Sequence, residues 1–234
     1  MLVIVAKGWD STATALAARW STNDAAILTP DDLSHAGWRQ YLGAERAADI
    51  VVAQGRLIPQ MEITGVVTRL PAITADDLGE IAPEDREYVA AEMTAFMMFW
   101  LSRLKCPVLN RPSAMSLAGP YWRAEKWALA AAAAGIKIAP TQRSSSDDAK
   151  AGPQAAARAT VTVIGERSFG DAHPVLTRTA RRLAVLANAA MLTVYFTSPD
   201  RNGAFLGADS FPALEDDVFK DAALEYFCAS ARDA

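Results

Sequence analysis

Apolar runs and helix-like spacings alternate along this chain. Leu2-Val3-Ile4-Val5-Ala6 is apolar at every position, the pattern of a strand buried on both faces. Asp10-Ser11-Thr12 follows as a helix cap, and apolar spacing carries that helix to about Trp20. Further strands are expected over 26–29, 49–54 and 63–69, with Pro30-Asp31-Asp32 opening a short helix towards Leu42. Strand, helix and strand in this order predict a mostly parallel sheet.

The next helix is unusual. Pro83-Glu84-Asp85 places acidic residues in a first turn, where they meet the positive end of the helix dipole, and the pattern continues to about Lys105. Its middle holds Met93, Phe96, Met97, Met98, Phe99, Trp100 and Leu101, so it is apolar on nearly every side. Such a helix needs cover on most of its faces, from a sheet and from a partner chain. A methionine-rich binding surface is the alternative to core packing.

Beyond it, 107–112 reads as a strand leaving into a loop, and an alanine-rich helix spans 119–134 with Gly135 as its C-cap. Residues 136–141 are extended. Residues 142–158 hold Ser, Asp, Gly, Pro and Ala with no large apolar side chain, which marks a linker. A strand is expected over 159–165 and a helix over 175–190. Two strands, 191–197 and 204–208, flank Pro199-Asp200-Arg201-Asn202-Gly203, where Asn-Gly favours a hairpin. A helix over 214–231 closes the chain, and there is no internal repeat.

Composition narrows the functional classes. The 234 residues are 51% hydrophobic and 21% charged, a globular balance that excludes wholesale disorder and suits one large domain or two small ones. The net charge of −4 and the scattered basic residues argue against a nucleic-acid partner. Arg178, Arg181 and Arg182 read as a solvated helix face. The opening residues lack the basic region of a signal peptide, and the most apolar helix is interrupted by Glu92 and Arg103. The expectation is a cytoplasmic protein with no membrane partner. Cys106 and Cys228 are expected to be free thiols, and His35 and His173 lack companions at metal-ligand spacing. No GxGxxG, GxxxxGK[ST] or GxSxG occurs, which removes the usual signatures of nucleotide loops and serine hydrolases.

Taken in order, Val108-Leu109-Asn110-Arg111-Pro112, Leu117-Ala118-Gly119, Trp122 to Trp127, and Ala134-Gly135-Ile136-Lys137-Ile138-Ala139-Pro140-Thr141 resemble the ATP-grasp ligases. The strand at 63–69 and the helix at 87–104 look like the pre-ATP-grasp domain of the peptide-modifying branch, which includes microviridin-type macrocyclases. Val161 to Gly165 with Phe169-Gly170-Asp171, the helix at 176–187, the strand at 192–196 and the segment 205–212 look like the second catalytic half. The resemblance implies an α/β fold. A Rossmann-like pre-ATP-grasp domain would span 1–110 and a reduced ATP-grasp-like domain 111–234, with the linker at 142–158.

The departures from that family decide the functional expectation. Members insert a lid subdomain after the Pro-Thr element, with lysines for the phosphates; here 17 polar and small residues, 142–158, stand in its place. So short a segment cannot build a sheet and helix around a core of their own. The resemblance also implies an acidic residue in the strand at 192–196 and a Glu and Asn in the last strand. This chain has Thr193-Val194-Tyr195-Phe196 and Phe205-Leu206-Gly207-Ala208-Asp209-Ser210-Phe211-Pro212, leaving Asp209 as the one cation ligand. Phosphoryl transfer needs nucleotide, cations and metal together, so no cofactor is expected.

The expectation is a non-catalytic pseudo-ligase that binds a peptide, a metabolite or a partner biosynthetic enzyme, as a homodimer. An enzyme using the vacated cleft without ATP is one alternative, and a subunit whose lid comes from another chain is a second. Asn110, Arg111, Arg123 and Lys126 are the candidate ligand-binding residues. Arg123 and Lys126 share a helix face, Arg111 follows a strand end, and open α/β sheets bind ligands at such ends. The competing reading pairs these cations with surface acids.

Overall fold

In the computed structural model, which describes residues 1–42, 49–140, 153–211 and 214–230, the all-apolar run Leu2–Val5 is strand β1. It is followed by α1 (Ser11–Arg19), β2 (Ala25–Leu28), β3 (Ile50–Ala53), β4 (Arg56–Pro59), β5 (Gly65–Thr68), α2 (Arg86–Arg103) and β6 (Val108–Leu109). The chain continues with α3 (Ala124–Ala133), α4 (Pro153–Ala156), β7 (Ala159–Ile164), β8 (Arg167–Phe169), α5 (Pro174–Leu186), β9 (Met191–Phe196), β10 (Phe205–Asp209) and α6 (Asp217–Ser230). It forms two units, Met1–Gly119 with Pro212–Ala234 and Pro120–Phe211. Among the described residues no helix is long and apolar enough to cross a membrane.

The first unit is built on a parallel sheet of order β2-β1-β5-β6. β1 is interior and buried at all four positions, which accounts for its unbroken apolar run. Val3 stands opposite Ala26 on one side and Val66 on the other. Val3, Val5, Val66 and Val108 form one core with Met97, Trp100 and Leu101 of α2. On the opposite face α6 approaches so closely that a Cβ at Gly65 would lie 2.6 Å from the Phe227 ring.

α2 finds the cover it needs within its own unit. Val51, Ala53 and Ile58 of the β3–β4 hairpin join its core, and Trp38 packs edge-on against Phe96 and Trp100 at 5.2 and 5.8 Å. The indole N–H of Trp38 donates to the Asp32 carbonyl at 2.9 Å, and that of Trp100 to Gln60 Oε1 at 3.0 Å. No residue from Phe96 to Leu101 is fully exposed. That stretch therefore does not supply the apolar patch from which self-association was expected.

The closing helix departs from the division expected at residue 110. Phe227 packs edge-on against Trp20 at 6.0 Å, and the Trp20 indole donates to the Lys220 carbonyl. Arg19 grips Asp221 with two hydrogen bonds of 2.7 Å. These contacts return α6 to the first unit. Its partner α1 is capped as expected, with Asp10 accepting from the Ala13 amide at 3.1 Å.

The second unit carries an antiparallel sheet of order β10-β9-β7-β8. Val161, Val163, Leu192, Val194 and Phe196 pack against Trp127 and Ala131 of α3 and against Leu176, Ala180 and Leu183 of α5. Strand alternation sends Thr160, Thr162, Thr193 and Tyr195 to the other face. The extended segment expected at 136–141 contributes one isolated bridge, Ile138 to Phe205, within the described residues. Of the expected linker, 142–152 lies outside the described residues, and Pro153–Ala156 is the short α4, with Pro153 packed on Gly207.

Candidate functional site

The face of β7, β9 and β10 turned away from α3 and α5, on which α4 meets Gly207, carries strand positions where the sequence departs from the family it resembles. Register aligns Asp209 with Thr193, and Thr193 with Thr162. The two threonine hydroxyls lie 3.1 Å apart and are buried, one donating to the other. The next row places Gly207 beside Tyr195 and Tyr195 beside Thr160. Burial, with Asp209 adding to it, pushes the Tyr195 phenol above its usual pKa, so this hydroxyl stays protonated at neutral pH. Asp209 itself is exposed, and its Oδ1 accepts from the Phe211 amide at 2.9 Å.

This face thus offers one carboxylate, two mutually bonded neutral hydroxyls and a phenol. A magnesium ion wants near-octahedral oxygen ligation and is usually held by one or two carboxylates plus substrate phosphates. The donor set fits poorly, because β9, the strand expected to carry an acid, turns Thr193 and Tyr195 to this face, and Thr193 is bonded to Thr162. Among the described residues no group of three or more His, Cys, Asp or Glu is placed to hold a metal. His173 caps α5, accepting from the Val175 amide at 3.2 Å.

The first unit has a second candidate region at the carboxyl edge of its sheet. The chain passes from β1 to β2 on one side and later to β5 on the other, so the order reverses between β1 and β5. Ligands of open α/β sheets bind outside such a reversal. Here it is bridged from within: Arg69, after β5, donates from Nε to Asp10 Oδ2 at 2.8 Å, and both side chains are largely buried. Lys7 pairs with Asp77 at 2.9 Å and lies 5.3 Å from the ring of Trp9, which is 69% exposed.

The four residues singled out from the sequence fall into two pairs. Asn110 and Arg111 belong to the first unit, Arg123 and Lys126 to the second. Asn110 is fully buried. Arg111 donates to the carbonyls of Leu104 and Cys106 at 3.2 and 3.1 Å, so its guanidinium clasps the turn between α2 and β6. Arg123 precedes α3 as its N-cap residue and is exposed. The Lys126 ammonium sits 4.3 Å over the ring of Trp122. The sequence reading missed the Thr162–Thr193 and Arg69–Asp10 pairs, whose members are separated by 31 and 59 residues.

No family model matches the chain, and no curated protein matches it. Solved structures do. The macrocyclase MdnC of Microcystis aeruginosa MRC, bound with precursor peptide MdnA, superposes with a TM-score of 0.68 over 98% of this chain and 99% of that one, at 12% identity. The fold is that of the ATP-grasp ligases. The ligase PsnB, complexed with minimal precursor, Mg and ADP, matches this ATP-grasp fold with a TM-score of 0.64 at 13% identity, over 99% and 98% of the two chains. A Chryseobacterium gregarium RiPP-associated ATP-grasp ligase, in complex with ADP and a leader and core peptide, gives 0.64 at 10% identity over 97% and 96%. All three are peptide-modifying enzymes by their names. At these identities the likeness carries the ATP-grasp fold, α/β in both units, and not the chemistry.

Proposed function

We propose that this chain is a pseudo-ligase: an ATP-grasp fold without a lid that binds a peptide, or a partner enzyme acting on one, and does not transfer phosphate. The observation that carries this reading is the Thr162–Thr193 hydroxyl pair, which involves the strand expected to carry an acidic ligand. With Asp209 as the one carboxylate in that aligned row, the charge needed to hold magnesium against a nucleotide is missing.

Peptide binding is the retained half of the activity in this reading, supported by fold neighbours solved with precursor peptides. Arg123 and Lys126 of the second unit remain the proposed contacts, their charges at the surface, whereas Asn110 is buried and Arg111 holds two carbonyls within the first unit. A homodimer is the expected assembly, being the commonest form among soluble oligomers. Calorimetry with ATP and magnesium tests the central claim. No saturable heat is expected up to millimolar nucleotide, and a micromolar dissociation constant would overturn it.

A further inference from the structure

A cavity of about 350 Å³ opens in the first unit where α2 ends and the chain turns towards β6. Met61, Ile63 and Leu104 give it apolar walls, and Arg103, Lys105 and Gln60 bring polar groups to it. It lies outside the sheet face and the sheet reversal described above. A volume of this size is at the lower end of small-molecule sites, which combine apolar walls with a few placed polar groups.

Arg103 is the group that asks for a ligand. Its Nη2 donates to the Tyr41 carbonyl at 2.7 Å and lies 3.7 Å from the buried carboxylate of Asp49. Its guanidinium also rests on the Phe99 ring at 4.8 Å. Nη1 is buried and has no hydrogen-bond partner among the described residues. A buried charged donor without an acceptor is costly; Nη1 is sealed as the side chain stands, and a turn of the guanidinium towards the cavity that Arg103 lines would bring it to an acceptor oxygen there. Asp49 is already engaged, accepting from the Tyr41 amide at 2.7 Å.

The rest of the wall suits an anion. Gln60 cannot turn its carbonyl oxygen inward, because that oxygen accepts from Trp100 at 3.0 Å and from Gln40 at 3.1 Å. Arg111 holds the carbonyls of Leu104 and Cys106. Burial raises the Cys106 thiol to about 11, so it presents no thiolate charge at neutral pH. Cations at a helix C-terminus also complement the helix dipole. Exposed Lys105 would serve that purpose alone, and the dipole does not explain a buried unpartnered Nη1.

We propose that this cavity binds a small carboxylate with an apolar body, its charge on Arg103 and Lys105 and its hydrocarbon part against Met61, Ile63 and Leu104. Octanoate is the probe and octan-1-ol the neutral control of equal chain length. On the full chain, octanoate gives saturable heat in calorimetry and octanol does not. Octanoate also slows N-ethylmaleimide labelling of Cys106, a wall residue, by about tenfold at ten times its dissociation constant. Exposed Cys228 is the internal reference and keeps its rate. Lys105→Gln, a surface change, weakens octanoate by roughly 3- to 5-fold, the scale of an exposed ion pair. The proposal is overturned by no octanoate heat at 10 mM (on the order of the weakest specific affinities), by equal protection from octanol, or by equal slowing at Cys228.

Discussion

Thr162 and Thr193 face each other across β7 and β9 with their hydroxyl oxygens 3.1 Å apart, both buried, and Asp209 stands next in the same row. A neutral pair that satisfies itself needs neither a metal nor a nucleotide to be stable. Thr193→Asp would put a second carboxylate beside Asp209 in a buried position. It should cost about 3 kcal/mol, the scale of an uncompensated buried charge. Millimolar magnesium should restore part of the loss, because two adjacent carboxylates begin a cation site. Thermal melts with and without magnesium read this directly, and a variant as stable as the parent in its absence would refute the premise.

Gly65 and Phe227 form a second testable contact. A methyl at Gly65 would meet the Phe227 ring at 2.6 Å, so Gly65→Ala should destabilise by about 1–3 kcal/mol through overpacking. Phe227→Ala should cost about 3–5 kcal/mol by leaving a cavity. In the double variant the new methyl enters that cavity, and the two costs should sum to less than their separate values. Strict additivity in urea melts would mean that α6 does not pack on β5 in this way.

The buried Arg69–Asp10 pair should behave as a structural bolt across the sheet reversal. Asp10→Ala removes the 2.8 Å carboxylate partner of Arg69, leaving Glu215 at 3.8 Å, and removes the α1 cap, so a loss of about 2–4 kcal/mol is expected. Ser11→Ala, one residue along and exposed, serves as the control and should stay within about 0.5 kcal/mol. Equal small losses at both positions would show that the pair contributes little.

Asp77 predicts a feature of the acid limb. Burial alone would raise its pKa, but the Lys7 ammonium and the Thr74 hydroxyl and amide outweigh that and hold it below the usual carboxylate value. A depressed folded pKa stabilises the protein above the unfolded value, near 3.8, and that stability is lost as pH falls through the folded pKa. Asp77→Asn should therefore be less stable than the parent at pH 6, with the difference shrinking below pH ~4. A pH-independent difference in chemical denaturation would place the effect elsewhere.

Arg111 and Arg123 separate anchoring from binding. Arg111 holds two carbonyls, so Arg111→Ala should lower stability by roughly 1–2 kcal/mol. Arg123 is exposed at the start of α3, so Arg123→Ala should leave stability within about 0.5 kcal/mol. Binding of an acidic peptide should weaken with Arg123→Ala. If only the melting temperature of Arg111→Ala moves, the peptide contact at Arg123 should be abandoned.

The alternation of apolar runs and caps by itself determined most of the architecture. A run such as Leu2–Val5 has no polar position to expose, and Asp10 starts a helix and Gly135 ends one for reasons carried in their own side chains or lack of them. The order of those elements was enough to show the ATP-grasp likeness. β4 and β8 were not legible. Each is the short second arm of a hairpin, and the β3–β4 turn uses Gln54 and Gly55, both at positive φ, in place of the Asn-Gly that announces such turns.

Only the tertiary structure decided what the polar residues do. Thr162 and Thr193 are ordinary strand residues until the β7–β9 register puts their hydroxyls together. Arg111 looks like a free cation in sequence and is spent on two carbonyls, whereas Arg103 looks like a helix-ending cation and keeps a buried, unpartnered nitrogen beside a cavity. The return of α6 to the first unit rests on Phe227 meeting Trp20 across 207 residues of chain. Local pattern fixes which side chains are buried, because burial follows the period of one element. Pairing depends on the register and approach of several elements, and no single stretch of sequence carries that information.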